Sequence, residues 1–189
     1  KQMWEQAIDR FNHADPIASF THFFEYLKNL DEPTNISYKR LDSEGKISIE
    51  FIIYQGSKKL VGLCDEEHLE AEVELAYNEH YSIGLLRRLL EENNNLQYSK
   101  YALKPNNRIS LKFDTNAIDA NPYKLYFGLK ELACVSDRMD DQMRHLFKSL
   151  QIIEHDLKAY YSPEVSQFKY QHFQVTLKQT IALYQKYEM

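Results

Sequence analysis

The sequence predicts an α+β fold in which an antiparallel β-sheet is packed by helices in the order α-β-β-β-α-β-β-α, with a helical hairpin at the C-terminal end. Three observations carry this expectation. In residues 69–77, Leu69, Ala71, Val73, Leu75 and Tyr77 alternate with Glu70, Glu72, Glu74 and Ala76, which is the period of a half-buried strand. Residues 83–90 then form a leucine-rich helical run closed by Asn93, Asn94 and Asn95. From Leu125 onward, apolar positions recur at spacings of four and three, which predicts one long helix over 122–158.

The elements follow in order. Trp4, Ile8 and Phe11 fit a short first helix. Asp15 and Pro16 read as an N-cap followed by proline at the first helical position, and Ile17, Phe20, Phe24 and Leu27 give the next helix one apolar face. After a turn at 31–33, Ile36, Tyr38 and Leu41 lead into the turn signal Asp42-Ser43-Glu44-Gly45. Ile47, Ile49, Phe51 and Ile53 alternate, the chain turns at Gln55-Gly56-Ser57, and 60–63 precede the glutamate-faced strand. Such a series is an antiparallel meander rather than a βαβ succession. Ser82 can cap the leucine helix, with Ile83, Leu86, Leu89 and Leu90 facing inward. Strand-like runs at 98–103 and 109–113 flank the turn Pro105-Asn106-Asn107. Asn121 and Pro122 open the long helix, whose inner positions are Leu125, Leu129, Leu132, Ser136, Met139, Met143, Leu146, Leu150, Ile153 and Leu157. After a break at Tyr160-Tyr161, Ser162 and Pro163 start a last helix bearing Tyr170, Phe173, Leu177, Ile181, Tyr184 and Tyr187 on one face. The domain expectation is therefore 1–160 as the α+β domain and 161–189 as an appended helix packing on 122–158, in the same chain or in a second copy.

Composition excludes several classes. At 189 residues, 43% hydrophobic and 13% aromatic, the chain can bury a substantial core. A net charge of −5, with basic residues only in isolated pairs such as Lys39-Arg40, Lys58-Lys59 and Arg87-Arg88, argues against nucleic-acid binding. The acidic excess is local, with seven carboxylates and no Lys or Arg over 65–79, read as a solvated strand face or as a negative surface for a basic partner. Cys64 and Cys134 form no CxxC pair, no apolar run reaches the length of a membrane span, and no signal-peptide pattern opens the sequence. These features give a cytoplasmic expectation with no membrane association.

Reaction chemistry is hard to find. No glycine pattern makes a phosphate-binding loop, and no GxSxG elbow or nucleophile motif is present. Cys64, Asp65, His68 and His80 supply metal-ligand types without a zinc-site spacing, so neither a metal nor a cofactor is assigned. His22 with Glu25 and Asp141 with His145 read as surface pairs one helical turn apart. The aromatic residues, 14 Tyr and 10 Phe, exceed what a small core needs; part of them reads as core rim and the remainder as binding surface, with Met139 and Met143 as adaptable packing.

The strand at 69–77, the LLRRLLEENNNL run at 85–96, the pair YSKYAL and RISLKFD, and the helix opening at Pro122 together resemble the type III secretion chaperone fold and the related YbjN-like bacterial domains. The similarity spans 16–150 and is one of pattern. It implies a non-enzymatic, cytoplasmic protein, a homodimer, that binds a segment of a partner protein. Leu86, Leu89, Leu90, Tyr101, Leu103, Ile109 and Leu111 would then serve the core or a dimer surface. The residues expected to meet a partner are Tyr98, Tyr101, Leu103, Tyr126, Met139, Met143 and Tyr184. The C-terminal helix and the weaker acidity depart from the chaperone pattern. Two other readings stand beside this one: a small-ligand or metal-dependent enzyme centred on Cys64, Asp65, His68 and His80, and a structural subunit pairing through the 125–157 seam.

Overall fold

A computed structural model describes residues 1–28, 35–55, 58–153 and 163–187, with side chains except at 140–146, 163, 166 and 187. The chain divides into two units, Lys1–Leu157 and Lys158–Met189.

The first unit opens with α1 (Gln2–Asn12) and α2 (Pro16–Leu27). The Asp15 side chain accepts from the Ala18 amide and Pro16 sits in the first turn, so the cap read from sequence is formed. Ser19 ties the pair together by donating to the Ala7 carbonyl at 2.8 Å. Four antiparallel strands follow: β1 (Ile36–Ser43), β2 (Lys46–Gln55), β3 (Lys58–Asp65) and β4 (His68–Tyr77). The β1–β2 turn is made by Glu44 and Gly45, both with positive φ, and a glycine at the second position relieves the strain of that conformation. Asp65 accepts from the amides of Glu67 and His68, each at 2.8 Å, and shapes the β3–β4 turn.

Next come α3 (Ile83–Asn93), β5 (Ser99–Lys104), β6 (Arg108–Asn116), α4 (Pro122–Leu146) and β7 (Gln151–Ile152). The sheet runs β1-β2-β3-β4-β6-β5, with β7 on β4 and every pairing antiparallel. The class is therefore α+β with a seven-stranded antiparallel sheet. Four strands precede α3, at the four runs 36–41, 47–53, 60–63 and 69–77 read from the sequence and one more than the α-β-β-β-α-β-β-α order contains, and the short β7 adds a strand that order lacks. The second unit contains α5 (Pro163–Tyr187). The turn expected at 31–33, the turn residues Gly56 and Ser57 and the break at Tyr160-Tyr161 lie outside the described residues.

One face of the sheet carries the core. Ile49, Phe51, Leu60, Cys64, Leu69, Ala71, Val73, Leu111 and Phe113 are buried there beneath α2 and α4. Two glycines permit the close approaches. Gly62 lies opposite Phe51, whose ring occupies the space a Cβ would need (2.1 Å), and Gly128 of α4 receives the Phe113 ring at 2.5 Å from its would-be Cβ. Sheet and helix thus meet at separations a larger residue would forbid.

Two helical expectations are corrected. The four-three repeat does not extend to 157, because α4 ends at Leu146 and the chain turns back into β7. The cause lies in β4, which pairs with β3 only as far as Glu72 and leaves the backbone of Ala76 and Tyr77 in need of partners. β7 supplies them: Ile153 donates to the Leu75 carbonyl at 2.8 Å, the buried Lys58 ammonium donates to the Ile153 carbonyl at 2.8 Å, and Leu150 enters the core. The buried positions of α4, Leu125, Leu129, Leu132, Ser136 and Met139, belong to the core that α4 shares with the sheet, so this part of the expected 125–157 seam is occupied within the first unit. In α3 the buried residues are Leu85 and Leu89, whereas Ile83 and Leu90 are exposed. The Ser82 hydroxyl accepts from the Leu85 amide, so the cap read from sequence is formed, while packing against the core selects Leu85 and Leu89 as the buried face.

Candidate functional site

Among the described residues of the first unit no helix covers the other face of the sheet, and strand alternation decides what it displays. On β2 the outward residues include Glu50 and Ile52; on β3, Lys59, Val61 and Leu63; on β4, Glu70, Glu72 and Glu74; on β6, Ser110, Lys112 and Asp114; on β5, Lys100 and Lys104. All of these but Ser110 line an open groove of about 810 Å³. Its β2–β3 side carries the apolar Ile52, Val61 and Leu63 between Glu50 and Lys59, with Val61 and Leu63 half exposed. Its β4–β6–β5 side is a lattice of ion pairs.

That lattice changes the meaning of the glutamate strand. Lys104 reaches Glu72 at 2.7 Å and Glu74 at 3.5 Å, Lys112 reaches Glu72 at 3.3 Å, Arg108 pairs with Glu74, and Lys100 pairs with Asp114 at 2.5 Å. Burial alone would raise the Glu72 carboxyl, but Lys104, the Ser110 hydroxyl and Lys112 outweigh it and hold the group below the usual carboxylate value. Lys104 is in turn held above its usual value, chiefly by its bond to Glu72. Of the seven carboxylates over 65–79, Glu72 and Glu74 are thus paired within the chain, and the negative face is neutralised at those two positions. Glu50 and Glu70, on either side of Leu63 in the same cross-strand row, form no ion pair among the described residues.

The sheet's two edges differ. The β5 edge is closed by Asn93, whose Oδ1 accepts from the Tyr101 amide at 2.7 Å while its Nδ2 donates to the Tyr101 carbonyl at 3.5 Å, so one side chain imitates a neighbouring strand. Glu131 of α4 anchors the start of β5, accepting from the amides of Gln97, Tyr98 and Ser99 and from the Ser99 hydroxyl at 2.6–2.9 Å. Burial would raise this carboxyl, yet those donors hold it below its usual value. Along β1, by contrast, no strand pairs with the outer edge among the described residues.

Within the first unit, the described residues singled out from sequence do not form one surface. Tyr101 and Met139 are buried in the core and unavailable to a partner. The Tyr101 hydroxyl is pushed up by burial and by Glu92. Tyr98 is half-buried against the core, and Leu103 is half exposed on the other side of the sheet from the groove. Tyr126 packs with Trp4, ring centroids 6.2 Å apart, in an aromatic group that includes Tyr26, Tyr123 and Phe127. Tyr184 is exposed on α5 in the second unit, and the Met143 side chain lies outside the described residues. In the Cys64 group the parity of the strands separates the ligands. Cys64 faces the core, its thiol near the Ile49 carbonyl at 3.7 Å and pushed up by burial, while His68 lies on the outer face and His80 is exposed in the loop after β4. Among the described residues no three potential ligands converge on a metal position.

Sequence reasoning missed Lys104, Lys112 and Arg108 as partners of the glutamates, and missed Asn93 and Glu131. The alternation in SKYALK and RISLKFD places the cations on one face, but only the strand order sets that face beside β4. No helix among the described residues is long and apolar enough to cross a membrane. No protein-family model matches the chain, and no curated protein matches it.

Proposed function

We propose that this chain is a non-enzymatic, chaperone-like protein-binding module that receives a segment of a partner protein on the open face of its sheet. The observation that supports this reading is the half-exposed pair Val61 and Leu63 set in an open groove, with Glu50 and Glu70 flanking Leu63 and unpaired among the described residues. Apolar side chains laid beside two free carboxylates suit a segment that alternates apolar residues with Lys or Arg. The cations beyond β4 are already engaged by Glu72, Glu74 and Asp114, so an acidic segment gains little there.

The test is selection of peptides from a random displayed library on the immobilised full chain, followed by affinity measurements on the selected peptides. The reading expects apolar and basic enrichment, and a loss of about tenfold or more in affinity for Leu63→Glu, whose position is exposed enough to leave folding intact. Peptides that bind Leu63→Glu as tightly as the parent chain would refute this placement.

A further inference from the structure

We infer that two copies of this chain join edge to edge through β1, in an antiparallel two-fold register centred on Leu41. Three observations lead there, and none depends on what the open face binds.

The first is the asymmetry of the edges. Asn93 closes β5 at Tyr101, so growth of the sheet on that side is blocked, whereas β1 ends the strand order on the other side with no strand beyond it among the described residues. The second is which backbone groups of β1 are free. The Tyr54 amide donates to the Asn35 carbonyl at 2.8 Å, and the two-residue turn at Glu44-Gly45 closes on the pair Ser43 and Lys46. Both place the odd-numbered residues of β1 in hydrogen-bonded pairs with β2, so the N–H and C=O groups of Ile36, Tyr38, Arg40 and Asp42 point outward. Even residues of one copy therefore pair with even residues of the other.

The third observation selects the register. Residues directly opposite in an antiparallel pair share a face, and like charges so placed repel. A register centred on Lys39 opposes two ammonium groups, one centred on Arg40 opposes two guanidinium groups, and one centred on Asp42 opposes two carboxylates. Centred on Tyr38, the pairing brings no opposite charges together. Centred on Leu41, it sets Arg40 against Asp42 of the second copy twice, Lys39 against Ser43 twice, and Leu41 against itself at the close-spaced, non-hydrogen-bonded position. Arg40 and Asp42 are exposed, and neither forms an ion pair within the chain among the described residues. Because opposite residues share a face, the two open grooves then lie on the same side of one continuous sheet.

The experiment is sedimentation velocity on the full chain over a wide concentration range, with thermal unfolding of each variant in the same buffer. A reversible dimer is expected. Arg40→Asp turns both ion pairs into repulsions and weakens the dimer about tenfold or more, as does Leu41→Lys by opposing two cations at the axis. The double reversal Arg40→Asp with Asp42→Arg restores both pairs and brings the dimer back. Asp42 also accepts from the Gly45 amide at 3.3 Å, so if the double variant unfolds early, Arg40→Asp and Leu41→Lys decide the matter. A monomer at every concentration, a dimer that neither single variant weakens, or a well-folded double reversal that stays monomeric overturns the inference.

Discussion

Replacing Glu131 by Gln is expected to destabilise the first unit by about 2 kcal/mol at neutral pH. The carboxylate accepts four hydrogen bonds, three from consecutive backbone amides at the start of β5 and one from the Ser99 hydroxyl. An amide oxygen can take the place of Oε1, which holds Tyr98 and Ser99, but the amide nitrogen then faces the Gln97 N–H as a second donor. Bonds to a charged acceptor contribute roughly 1.5–3 kcal/mol each and neutral ones roughly 0.5–1.5, so weakening three and losing one exposed bond sums to about 2 kcal/mol after solvent competition. The sign with pH follows from the depressed carboxyl. A group whose folded pKa lies below its unfolded value of about 4.3 stabilises above that value and loses its contribution as pH falls through the folded pKa. The gap between parent and Glu131→Gln should therefore be widest near neutrality and narrow as pH drops below about 4. Urea unfolding followed by circular dichroism over a pH series measures both. Parity of the two proteins at neutral pH, or a gap that stays constant on acidification, would refute the account of how β5 is anchored.

Three further outcomes are expected. Gly128→Ala places a Cβ inside the Phe113 ring and Gly62→Ala one inside the Phe51 ring; each should lower stability by about 1–3 kcal/mol, read as a fall in the unfolding midpoint at constant denaturant slope. Cys134 is exposed and Cys64 is buried with its thiol pushed up, so a thiol reagent should label one cysteine quickly in the folded chain and the second only in denaturant. Asn93→Ala removes both contacts to the Tyr101 backbone and opens the β5 edge; it should cost about 1 kcal/mol and raise concentration-dependent light scattering, and unchanged scattering would argue that the edge is protected by something else.

The sequence by itself determined most of the elements and, along the strands, their faces. Period-two alternation located β2 and β4 because a strand buried on one side must alternate, apolar runs between turn signals marked β1, β3, β5 and β6, and Asp15 and Ser82 announced their helices because an unpaired N-terminal amide needs an acceptor nearby in the chain. Those are local requirements, satisfied within a few residues. What only the tertiary structure decided was which face meets which neighbour. The four-three repeat of α4 reads as a seam for another helix, yet a sheet accepts the same apolar stripe, and the backbone groups left free on β4 beyond Glu72 drew residues 151–152 out of the expected helix. The rotation of α3 was set by its packing, which buries Leu85 and Leu89 and leaves Ile83 and Leu90 exposed. Glu72 and Glu74 of β4 read as part of a negative surface until the strand order set Lys104, Lys112 and Arg108 beside them, some 30 to 40 residues further along the chain. Periodicity fixes the direction of a side chain relative to its own strand; its partner across the sheet depends on the order in which distant strands assemble, and local patterning carries no record of that order.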